Sequence, residues 1–182
     1  MNRTVTERPT RLYAGILLAV AGAVLIVRYG LITSTDWPHW LHHVIHAAAA
    51  WPMAIGAWLL AAPGRRMPRI AAALFAVWAV GETVVGVAAF AWETMLHQAE
   101  MPAGLHTVEY VLYLAYLGDL LLGIHLIRRS GIPRVAGAVL SATLLIDFAG
   151  VPWAAGAGIA VAGALLAATA RRTLHKQPTT VT

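Results

Sequence analysis

Ile70 to Trp92 reads IAAALFAVWAVGETVVGVAAFAW, 23 residues in which Glu82 is the one ionisable side chain. At about 1.5 Å per residue a helix of that length is about 35 Å long, enough for a hydrocarbon core of about 30 Å. The run is continuously apolar and does not alternate, so it is not a strand of a membrane barrel, whose segments of about ten residues alternate in polarity. A carboxylate at the centre of such a helix is costly to keep there, and by default it marks a path for ions, protons or substrate.

Working outward, five more apolar runs appear, and turn chemistry separates them. The pattern predicts helices over about 11–32, 38–62, 67–100, 105–127, 134–148 and 153–170. Capping residues Thr33 to Asp36 and then Pro38 open the second helix, as proline suits a first helical turn. Pro52 is expected to kink it. Pro63-Gly64, Pro102 with Gly104, Gly131 to Pro133 and Gly150 to Pro152 mark the other breaks. The first run is longer than the 7–15 residues or so of a secretory leader's core. The expected fold class is all-α, a polytopic membrane helical bundle of about six transmembrane helices forming one domain over residues 1–182.

Composition agrees. Of 182 residues 59% are hydrophobic and 12% charged, with a mean hydropathy of +0.70; soluble domains sit near about 45–50% and about 25%. A soluble fold of this size lacks the interior to hide so much apolar surface. There is no cysteine, which removes disulfides, thiolate metal sites and cysteine nucleophiles. The net charge of +5 comes as short clusters at helix ends, with no aromatic-basic recognition motif, so nucleic acid is not an expected partner. Phosphate-loop, dinucleotide, nucleophile-elbow and H-E-x-x-H motifs are absent from the sequence.

Those clusters set an orientation. Arg3, Arg8 and Arg11; Arg65, Arg66 and Arg69; Arg128, Arg129 and Arg134; and Arg171, Arg172 and Lys176 fall on one side, and of 13 cationic residues only Arg28 lies on the other. The positive-inside rule then places both termini in the cytoplasm, giving a multi-pass protein of the plasma (inner) membrane. Small residues, Ala19, Gly22 and Ala23 in the first helix and Gly156, Gly158 and Gly163 in the last, suit close backbone packing in lipid.

The topology sorts the polar residues. His39, His42, His43 and His46 stand at i, i+3, i+4 and i+7, one face of a helix. Glu93, His97 and Glu100 form a second stripe if the third helix reaches that far, with Glu82 continuing it about 16 Å deeper. His106 and Glu109 open the fourth helix. All but Glu82 map to the extracytoplasmic end, so the expected site is an outward-facing cluster of His39, His42, His43, His46, Glu93, His97, Glu100, His106 and Glu109. Nitrogen and oxygen donors of this kind suit zinc, copper or iron, and a single haem b with two histidine ligands is a further expectation. Glu82 and Asp119 are assigned to a proton, ion or substrate path. Gly81 leaves room for a close neighbour of Glu82, Tyr113 and Tyr116 are expected to bond Asp119, and Asp147 to pair with Arg28.

Three functions follow from this pattern. The first is a metal- or haem-binding membrane protein, a redox enzyme or a subunit of one. The second is a small transporter, or the capture component of one, for a metal cation or small polar molecule. The third is a structural subunit of a larger membrane complex or homo-oligomer.

Overall fold

The computed structural model describes residues 3–32, 37–61, 66–97, 104, 110, 112–151 and 153–175. They form six α-helices: α1 Arg3–Ile32, α2 His39–Leu60, α3 Arg66–Phe90, α4 Leu112–Ile127, α5 Ile132–Phe148 and α6 Ala154–His175. No strand occurs among the described residues. The turns are cut where the sequence supplies the right backbone. Gly131 takes φ +68° just ahead of Pro133 in the first turn of α5, and Gly150 takes φ +97° between α5 and α6. That left-handed region is open to glycine at little cost.

Each helix packs on its chain neighbours, and α1 packs on α6, so the six close into a ring. Leu18, Met53, Phe75, Trp78, Leu122, Leu140 and Ile159, drawn from all six helices, fill the interior together with many alanines. The outside is apolar too. Trp58, Val87 and Leu145 are each more than 60% exposed, and Val20, Ile55, Val77 and Val84 are exposed with them. Helices that are hydrophobic all round belong to an apolar surrounding rather than to water. Four of them, over Pro9–Gly30, His39–Leu60, Arg66–Met95 and Ala154–Thr173, are long and apolar enough to cross a bilayer. Tyr113–Ile127 is apolar but shorter.

The two ends of the ring differ in charge. Arg11, Arg66, Arg69, Arg128, Arg129, Arg134, Arg171 and Arg172 all sit toward the end where α1 starts and α6 finishes. His39, His42, Glu93, His97 and Asp147 sit toward the opposite end, where α1 finishes and α2 begins.

The third helix departs from expectation. It does not carry Glu93 and His97 as one stripe. After Phe90 the chain takes a π-helical turn over Ala91–Met95, closed by Leu96 N–H donating to the Ala91 carbonyl at 3.1 Å. Such a turn inserts one extra residue and rotates everything beyond it out of register. His97 then adopts φ +52°, a conformation that ends a helix and that histidine tolerates better than most residues. The helical run therefore ends before His97, which is exposed. Glu100, His106 and Glu109 lie outside the described residues.

Candidate functional site

The site is built on Glu82, whose carboxylate lies midway along the α3 span and is 8% exposed. Three N–H groups meet it. His43 Nδ1 lies 2.7 Å from Oε2, His46 Nδ1 lies 3.0 Å from Oε1, and Trp78 Nε1 donates to Oε1 at 2.9 Å. Trp78 is one helical turn before Glu82 on α3, and residues at i and i+4 share a face. His43 and His46 come from α2, where the i, i+3 spacing stacks them one above the other. Gly86 is what lets α2 come this close: a Cβ there would sit 3.2 Å from the His43 Cβ. A carboxylate is an acceptor only, so with Glu82 ionised both imidazoles donate from Nδ1 and keep Nε2 for other chemistry. The His43 Nε2 is buried and has no hydrogen-bond partner.

From this centre polar groups extend two ways. Toward the end of the ring, the His39 ring packs edge-on against His43 at 4.8 Å, and its Nδ1 lies 3.7 Å from Glu93 Oε1. His42 contacts the His39 ring at 6.5 Å. Toward the interior, His46 and Trp78 form one wall of a cavity of about 30 Å³, faced by Met53, Tyr116, Asp119 and Asp147. This is room for one or two waters, and too small for a porphyrin. Asp119 is 4% exposed, and its Oδ1 has no partner.

The expected residues thus separate. His43, His46 and Glu82 come together, and His39 with Glu93 adjoins them. His97 stands apart on the surface. Among the described residues no three histidine or acidic side chains are grouped so as to hold a metal ion. Asp119 is not bonded by tyrosine: Tyr113 is exposed, and Tyr116 is at hydrogen-bonding range of Asp147 instead. Asp147 does not pair with Arg28, whose guanidinium lies over the Tyr29 ring at 5.0 Å. Trp78 was not among the expected site residues. Its one signal was an indole four positions before a lone buried acid.

Comparison with protein-family models, with curated proteins and with solved structures finds no match to this chain.

Proposed function

We propose that the protein spans the bilayer as a six-helix ring with both termini in the cytoplasm, and that His43, Glu82 and His46 form a proton-exchanging centre serving the movement of a proton or small cation. One observation carries this proposal. An acid in the middle of an apolar span is held between two imidazoles, one reaching toward the His39 end of the ring and one reaching the interior cavity. Intramembrane chains of histidine and carboxylate are the usual material of proton relays. A proton taken up at His43 Nε2, with the Nδ1 proton passed to Glu82 Oε2, leaves a neutral imidazole and a neutral acid. Release requires His46 as its Nε2–H tautomer: the carboxyl rotates to bring its proton to Oε1, the bare His46 Nδ1 takes it, Nε2 gives its own proton to the cavity, and both rings exchange tautomers before the next cycle. The charge asymmetry of the two ends supports the orientation, which puts His39 on the extracytoplasmic side.

The test is proton flux into vesicles holding the purified protein and an internal pH dye, driven by a potassium diffusion potential. Wild-type vesicles should acidify at least about tenfold faster than empty ones. Glu82→Gln should return the rate to that of empty vesicles while the protein elutes as wild type on size exclusion. Equal flux in wild-type and empty vesicles removes the proposal.

The His43 Nε2 favours a second use of the same residues. A histidine that gives Nδ1–H to a carboxylate is oriented as metal-ligating histidines are, so a transition metal bound at the His43 Nε2 is the second reading of the same residues. Elemental analysis of purified protein decides it. Stoichiometric zinc, copper or iron that is lost in His43→Ala supports this reading, and metal at background removes it.

A further inference from the structure

The cavity beside the Glu82 centre has its own chemistry. Asp119 from α4 and Asp147 from α5 both face it, and each has a buried Oδ1 without a hydrogen-bond partner. Two carboxylates therefore line one partly open space. Arg28, the one cationic residue toward this end of the ring, is not among the lining residues and is engaged with Tyr29. The α6 wall is Ala155, Gly156 and Ile159, which bring no charge. Asp147 is half-buried and bonded to Tyr116, but burying Asp119 with an unpartnered Oδ1 and a second carboxylate beside it is costly, and a cation between the two acids would remove that cost.

The walls say which cation. Calcium takes six to eight oxygen ligands or so, and magnesium a near-octahedral set. Here the walls are helices, whose backbone carbonyls are already committed to helical hydrogen bonds, so six acid and phenol oxygens are the most the walls can offer, and with Tyr116 already bonded to Asp147 a bare metal ion would need every remaining one turned inward at once. The remaining surface is the His46 ring, held by Glu82, the aromatic Tyr29, Tyr116 and Trp78, and apolar groups with Met53 among them. Carboxylates that accept N–H bonds, set among aromatic faces that attract positive charge, suit an ammonium-type cation. A cavity of about 30 Å³ suits a cation near the size of water, ammonium itself or methylammonium.

We infer that the cavity between Asp119 and Asp147 binds a small ammonium-type cation. The inference takes from the proposed function only the bilayer placement and names the cargo that the neighbouring proton centre would move.

The test is equilibrium dialysis of full-length detergent-purified protein against radiolabelled methylammonium. Saturable binding is expected, displaced by ammonium chloride and not by sodium chloride at the same concentration. Asp119→Asn should weaken it at least about tenfold. Asp147→Asn, at the end of α5 and less buried, serves if Asp119→Asn does not fold, and should weaken it about fivefold or more. Absence of saturable binding to wild type overturns the inference, as does equal displacement by sodium or binding unchanged in Asp147→Asn. Proton flux is read separately on the same preparations. Lost binding with intact flux overturns the cation site alone, and lost flux with intact binding overturns the proton centre alone.

Discussion

Two seams of the ring bring helices close by different means. Along α1–α6 the contact is glycine and alanine. A Cβ on Gly15 would lie 2.5 Å from the Ala167 backbone nitrogen, and Gly22 and Gly163 meet Ala160 and Ala19 in the same way. Along α2–α3 the approach at Gly86 is filled by imidazole and carboxylate. The first seam needs nothing but van der Waals contact, the main source of helix association in lipid. The second carries polar atoms that are stable only while every partner is present. A membrane protein seeking stability alone has the first solution to hand. Using the second at mid-span points to function.

The comparison can be broken from either side. The largest effect is expected at Gly22→Leu, because the clash is with partner backbone, which cannot rotate away. Overpacking there should cost about 3 kcal/mol, read as a lowered thermal midpoint in detergent, while Gly30→Leu on the same helix, with nothing within 4 Å, should change it little. Next comes Glu82→Ala, which leaves three buried N–H donors without an acceptor. About 2–3 kcal/mol is expected, whereas Glu82→Gln retains an acceptor oxygen and should cost about 1 kcal/mol. A Glu82→Ala protein as stable as wild type would place the α2–α3 seam in the same category as α1–α6. Trp78→Phe removes one of the three donors and keeps the aromatic packing. It should cost about 1 kcal/mol or less and slow proton flux only modestly, since both imidazoles remain on the acid.

The sequence was informative where one residue decides the matter, and silent where register or partner does. Six apolar runs gave six helices, and a lone acid in Ile70 to Trp92 drew attention to Glu82. The i, i+3 spacing of His43 and His46 put them on one face, but periodicity names a face and not its neighbour. Helices that are apolar all round give no pattern to separate inside from outside, so the closure of α1 on α6 and the cavity beside Asp119 were not legible. The π-helical turn at Ala91–Met95 has neither glycine nor proline to announce it. It shifts the register between Glu82 and Glu93 and ends the stripe that spacing alone suggested. Tyr116 lies three residues before Asp119, yet it faces Asp147 on another helix, a choice only tertiary packing makes.

In the proposed cycle Glu82 gains and loses a proton inside the ring. Infrared difference spectroscopy of the protein in lipid, between acid and alkaline buffer, measures this directly. The account predicts a protonated-carboxyl band paired with loss of carboxylate signal, both missing in Glu82→Gln while the bands of the aspartates persist. A Glu82→Gln difference spectrum identical to wild type would mean that this carboxylate never exchanges its proton, and would contradict the account.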